Sequence, residues 1–155
     1  MNVSRIILIS GALLTGSILM AYSVSGQSSK QIRERGINCQ TVLEVFIEKG
    51  MDKPVIEKKE MYNENGNITE VVEYNKKGNI TNWQKFEYDE DENVTSETQL
   101  DNKGRVVSRI KTIYENKLKT EKQYFDGSDR MYKKKFFKYE YSGQQTTPDK
   151  AEPNQ

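Results

Sequence analysis

The chain has 155 residues, 30% of them charged, with 24 basic and 23 acidic side chains and no histidine. That length amounts to one domain, and a near-neutral balance with the signs interspersed excludes the basic footprint that nucleic acid binding needs. The missing histidine removes the commonest general base and metal ligand, and no cofactor is expected.

Residues 1–26 differ from the rest. Arg5 is their one charge, Ile6 to Met20 is almost unbroken apolar sequence, and small residues follow at Ala21, Ser23, Ser25 and Gly26. A basic start, an apolar core and a small-residue exit are the layout of a secretory signal peptide, cut after Ser23 or Gly26. The competing reading is an uncleaved anchor, because the run is only a few residues short of the ~20 that span a bilayer. The protein is therefore expected to be exported, to the periplasm, the outer surface or the medium, with no membrane span once the signal is removed. Without Arg5 the remainder holds 23 basic and 23 acidic residues. Cys39, the single cysteine, either pairs between molecules or is a buried thiol, and its apolar neighbours favour burial.

Residues 27–36, QSSKQIRERG, are a polar lead-in, either a short helix or a disordered stretch. The β-branched run Thr41 to Glu48 reads as a strand, with a helix as competitor. Asp52-Lys53-Pro54 reads as a turn. From Val55 the spacing becomes regular. Apolar residues alternate in short runs separated by Asn, Asp and Gly, the signature of antiparallel strands joined by hairpins. Tyr62-Asn63-Glu64-Asn65-Gly66-Asn67-Ile68-Thr69 returns as Tyr74-Asn75-Lys76-Lys77-Gly78-Asn79-Ile80-Thr81. It then persists, degraded, from Tyr88 to Thr95 and from Leu100 to Val107. Gly66 and Gly78 sit where a tight reversal needs positive φ. The fold expected over residues 37–141 is all-β, an antiparallel meander of about seven to eight strands, forming a single curled sheet or half-barrel. One face would carry an apolar ladder from Ile56 to Tyr141, and the other a solvated set including Lys85, Glu87 and Arg109. Residues 142–155 read as a disordered tail.

The repeat Tyr-Asn/Asp-x-x-Gly-Asn-Ile-Thr resembles the YD-repeat (Rhs-like) sequences, closest to short exported bacterial proteins of Bacteroidetes type, over about Tyr62 to Tyr141. Glu92 departs from the pattern by replacing Gly, and the turn after Tyr114 is shortened to Glu115-Asn116-Lys117. The resemblance implies a sheet of strand-turn units and an export route. It implies no catalytic residue.

Several residues invite a functional reading. Asp89, Asp91 and Asn93 have the spacing of a calcium loop, but Val94 and Leu100 stand where such a loop wants Gly and Glu, so an acidic hairpin accounts for them and no metal site is assigned. The triplets at Asn67, Asn79 and Asn93 match a glycosylation acceptor and are explained by the repeat. Trp83 falls out of phase with the ladder, on the face of Lys85 and Glu87, where it either packs or meets a sugar ring or protein. With Val71, Val107, Ile113, Phe125 and Phe136 it would form a cover or an apolar patch. Trp83, Val107 and Phe136 are the candidate partner-binding residues. The function expected is a non-enzymatic binding or structural module of the cell envelope or exterior, contacting a protein or glycan. The alternative is an inhibitor or immunity-type protein that neutralises a specific protein. A carboxylate-based hydrolase is the third reading, and no carboxylate pair is placed by a motif.

Overall fold

The computed structural model describes residues 28–47 and 51–142. The signal peptide or anchor and the tail beyond Ser142 lie outside the described residues. Within them the lead-in is a short helix, α1 (Ser29–Glu34), and eight strands follow: β1 (Cys39–Phe46), β2 (Met51–Tyr62), β3 (Ile68–Tyr74), β4 (Ile80–Tyr88), β5 (Val94–Leu100), β6 (Val106–Glu115), β7 (Leu118–Asp126) and β8 (Met131–Phe136). They form one antiparallel meander in sequence order, open at both edges.

α1 forms because its ends are satisfied locally. Ser28 Oγ accepts from the Gln31 N–H and Gln31 Oε1 accepts from the Ser28 N–H, a capping box. At the other end Gly36 is left-handed, and the Gly36 and Ile37 amides return to Arg33 and Ile32, a Schellman stop. Ile32, fully buried, holds the helix down, and Ser29 abuts Gly66 in the β2–β3 turn.

Five of the hairpins are one device. The first residue, Asn63, Asn75, Asp89, Asp101 or Asp126, accepts two backbone amides on its side-chain oxygen, from two and four residues ahead. The residue three ahead takes positive φ: Gly66, Gly78, Glu92, Gly104 and Asp129. Its N–H returns to the first carbonyl, while the first N–H bonds the carbonyl four ahead. This is a type I turn closed by a left-handed residue. The β6–β7 hairpin instead uses two left-handed residues, Asn116 and Lys117, the tight primed turn that its shorter sequence demands.

Behind each turn the register slips once. Tyr62 pairs with Ile68 but Met61 with Glu70, which leaves Thr69 as an unpaired bulge. Thr81, Thr95, Val107, Thr120 and Tyr132 hold the same place. The Thr69 and Thr120 hydroxyls donate across to the Met61 and Ile113 carbonyls. The Thr of the repeat is thus a bulge residue.

These bulges correct the expected single apolar ladder. Glu60 pairs with Val71, so Tyr62 shares the face of Val71; Tyr74, three positions from Val71, takes the other face. Turn-flanking apolar pairs therefore alternate. Tyr62/Ile68 and Tyr88/Val94 line one face at one end of the sheet, and Tyr74/Ile80 and Leu100/Val106 line the opposite face at the other end. The side-chain pairs agree. Gln84 donates to Gln99 and Gln99 to Asn82 on the first face, and Lys85 meets Glu70 on the second. On the first face Tyr88 and Tyr114 tie adjacent strands, and Tyr139, beyond the end of β8, ties the chain back to β7: each donates to the carbonyl twenty residues back, of Ile68, Val94 and Lys119. Burial and then Glu97 push the Tyr88 phenol up, and burial followed by Asp89 does so for Tyr114, so both stay protonated donors.

The core is thin and partly polar. Ile32, Tyr62, Val71, Leu100 and Tyr124 are buried beside Glu60, Ser96, Thr112 and Lys122. Lys122 is tied to Glu97 at 2.9 Å. Glu60 accepts from the Tyr62 hydroxyl at 2.7 Å, and its other oxygen makes a close ion pair with Lys58 at 2.8 Å.

Two further expectations are corrected. Asp52 to Pro54 is not a turn but part of β2; the β1–β2 register skips there, between Glu44/Val55 and Phe46/Met51, and Pro is tolerated where the ladder is interrupted. Cys39 is exposed, not buried, because it opens an edge strand with no sheet neighbour on its outer side.

The turns yield two predictions. A Cβ on Gly66 meets the Ser29 carbonyl, whereas one on Gly78 meets nothing within 4 Å; both have φ near +80° (80 and 78). Gly78→Ala should cost about 1 kcal/mol in urea unfolding and Gly66→Ala roughly 2 kcal/mol or more, while Glu92→Gly should add up to about 1 kcal/mol. Equal losses at Gly66 and Gly78 would refute the α1 contact.

The second concerns acid. Asp89, Asp101 and Asp126 are held below their ordinary value of 3.8, by the Asn93 side chain for the first and by the Arg105 and Arg130 amides for the others. A depressed carboxylate stabilises fully above its unfolded value, and that contribution is lost as pH falls through the folded value. Asn63 and Asn75 do not titrate. Amide exchange below pH ~3.8 should therefore rise first in the hairpins of Asp89, Asp101 and Asp126. A uniform rise that includes the Asn63 and Asn75 hairpins would contradict this.

Candidate binding surface

The carboxylates with perturbed protonation are those of the turns and Glu121, the last held below its usual range by Lys134 and then Gln123. All are shifted toward the ionised form by groups that already occupy their oxygens. Asp89 illustrates this: Oδ1 accepts the Asp91 and Asn93 amides, and both oxygens face Asn93 Nδ2 at 3.2 and 3.0 Å. Asp91 is bound to Lys117 at 2.9 Å. The calcium-like spacing is thus an acidic hairpin with its oxygens engaged, and among the described residues no group of three or more acidic or cysteine side chains gathers to hold a metal ion.

The apolar exposure is concentrated at the two edges. In β8 all six residues are exposed. Tyr132, the bulge residue, is 64% exposed and Phe136 69%, and Tyr139 and Tyr141 continue the exposed series. Lysines interleave with them. Lys133 stands 4.0 Å over the ring of the buried Tyr124 and Lys135 at 6.0 Å, contacts in which a cation meets the negative face of a ring. Lys134 is paired with Glu121 at 2.8 Å. Tyr132 lies tilted against Tyr124 with ring centroids 6.4 Å apart. The result is a strand edge with no neighbouring strand among the described residues, flanked by aromatic and basic side chains and held in place from the β7 side.

The three candidate residues are not one patch. Trp83 is half-buried, its ring against Gly104 of the β5–β6 turn and its indole N–H donating to Glu70 Oε1 at 2.5 Å. Lys85 lies 5.9 Å over the ring and 3.8 Å from the same carboxylate. It stands on the face of Lys85 and Glu87, as its phase requires. Val107, 52% exposed, is the bulge residue of β6, placed where four other hairpins carry Thr. Trp83 and Val107 approach the same turn. Phe136 does not: it pairs with Glu121, itself opposite Ile113, six residues along β6 from Val107, or roughly 20 Å at strand rise. Val71, grouped with them from the sequence, is fully buried on the other face. Ile113, Phe125 and Phe136 do share the second face.

The exposed stripe of β1 was not singled out from the sequence. Leu43 and Val45 in β1 and Ile47 just past its end are 56%, 48% and 87% exposed. The signal available was the run's position as first strand of a meander, which leaves it without an outer neighbour. No helix among the described residues is long and apolar enough to cross a membrane. No family model, curated protein or solved structure matches the chain.

Trp83 reports on its own surroundings. Glu70→Ala removes the indole's acceptor and the ion-pair partner of Lys85, and should shift Trp83 emission to the red and raise acrylamide quenching, with a stability loss of about 1 kcal/mol. Unchanged emission would mean that Glu70 does not hold the ring.

Proposed function

We propose that the chain is an exported, non-enzymatic binding module of the cell envelope or exterior, which holds a protein partner along β8. The observation that carries this reading is the exposure of every β8 residue beside an unpaired strand edge. An extended segment added there gains main-chain hydrogen bonds from the edge and side-chain contacts from Tyr132 and Phe136, the mode of strand addition. Aromatic residues give much contact area for little lost entropy. Lys133, Lys134, Lys135 and Lys138 outnumber Glu140 in this stretch, which favours a partner segment bearing acidic residues. Export is supported by the layout of residues 1–26, and the repeat's resemblance to YD-repeat sequences points the same way. The turn carboxylates, ionised and engaged, support a binding rather than a hydrolytic role.

The test is photo-crosslinking in the source cell, with a reactive side chain at Phe136 in one strain and at Trp83 in another. A protein adduct formed from position 136, lost on Tyr132→Ser with Lys133→Glu, is expected. An adduct from position 83 alone, or Trp83 emission quenched by envelope glycans with no protein adduct, would move the site to the second face and to a sugar ligand.

A further inference from the structure

The two open edges of the sheet are guarded differently. β8 carries three consecutive lysines, the usual protection of an edge against self-pairing, and two copies aligned through β8 set lysine against lysine. β1 has no such guard. From Cys39 to Phe46 its one charge is Glu44, and its exposed side chains include Leu43 and Val45. Along Cys39 to Glu44 β1 contributes every residue to the ladder with β2, and the skipped position, Glu57, lies on β2, so the outer edge is regular, and no strand among the described residues lies beside it. α1 does not cover it: the helix turns inward to the β2–β3 hairpin, where Ser29 meets Gly66.

We infer that β1 is the interface of a two-fold dimer, in which it pairs antiparallel with β1 of a second copy and joins two sheets into one of sixteen strands (eight from each copy). The occupant follows from charge. An antiparallel strand is complementary to itself about a two-fold axis, and centring that axis on Val42 places Glu44 opposite the neutral Gln40 of the other copy rather than opposite Glu44. The same register sets Leu43 beside the second copy's Thr41 and Val45 beside its Cys39, so the exposed Leu43 side chains of the two copies meet diagonally across the axis on one face, while Val45 runs outward from it. A β1–β8 pairing would not close and would build an open filament. Strand pairing of this length lies at the small end of specific interfaces, so the dimer is concentration-dependent. The inference does not rest on the β8 partner, which occupies the other edge.

The experiment uses protein produced from the full sequence and recovered as the cell processes it. Sedimentation at rising concentration should show a monomer–dimer equilibrium. Thr41→Lys with Leu43→Lys sets lysine against lysine at two symmetry-related positions, and should raise the dimer dissociation constant roughly tenfold or more. Both side chains are exposed, so the melting temperature measured on dilute monomer should hold. Val42→Cys on a Cys39→Ser background puts one thiol per copy on the axis, within the ~4.5–5.5 Å Cα separation of opposed residues that a disulfide accepts. It should cross-link under mild oxidation, whereas native Cys39, roughly 20 Å from its counterpart in this register, should not. A monomer at every concentration, a ladder of larger species, or a dimer indifferent to the two lysines but abolished by charge reversal at Lys133 to Lys135 would each overturn the inference.

Discussion

The structure depends on how one side-chain oxygen closes a turn. At Asn63, Asn75, Asp89, Asp101 and Asp126 a single oxygen accepts two backbone amides, which satisfies donors that the reversal would otherwise leave to water. The left-handed residue three ahead completes the loop, and the bulge behind it absorbs the extra residue. Turn type fixes register in a hairpin, so repeating this device fixes the register of most of the sheet without a large core. That suits a chain of this polarity: among the described residues Ile32 and Val71 are the fully buried apolar side chains, and packing of that extent alone would specify the pairing weakly.

The bulge has a second consequence. A strict two-residue alternation carried through the turns would put all apolar flanks on one face. The turn and bulge together send successive flanks to opposite faces, so the sheet buries a little on each side. The polar rows between them are then forced into partial burial. They answer with side-chain pairs, Gln84 to Gln99 to Asn82 and Lys122 to Glu97, because a buried polar group without a partner is costly. The tyrosine hydroxyls that reach twenty residues back are the same economy at the strand ends: each lets an aromatic ring cover the first face while its polar tip satisfies a carbonyl.

Much of this was legible in the residues. The strands, their order and the positive φ at Gly66 and Gly78 are written in the repeat, since period-two spacing and turn chemistry are local properties. Glu92 kept the turn conformation without being Gly, because the Asp89 bonds over-determine it. What the sequence hid was the bulge. Thr69 and Thr81 look like ordinary exposed strand residues, and a one-residue slip leaves no mark in composition while it moves every later side chain to the other face. The grouping of Val71 with Trp83 failed for that reason, whereas Val107 and Phe136 were parted by their positions along the strands, at opposite ends of the β6 register. Pro54 misled in the opposite direction, marking an interruption of the ladder rather than the end of a strand. Cys39 was misplaced because burial at an edge is decided by topology, not by neighbours in the chain.

Open meanders of this kind have to do something with two edges. A barrel removes them and a cap covers them; here neither happens among the described residues, and the two edges have diverged in composition instead. β8 is basic and aromatic, with its lysines drawn back onto Tyr124 and Glu121, so it resists a like copy while leaving its backbone open to an unlike one. β1 carries one charge, Glu44, with Leu43 and Val45 exposed along it, and a lysine reaches it from another strand's turn, Lys76 over the Phe46 ring at 3.8 Å. If both edges served the same neighbour their charges would match each other, and the chain would polymerise. Under the two proposals above, the unequal edges confine each contact to one class of partner.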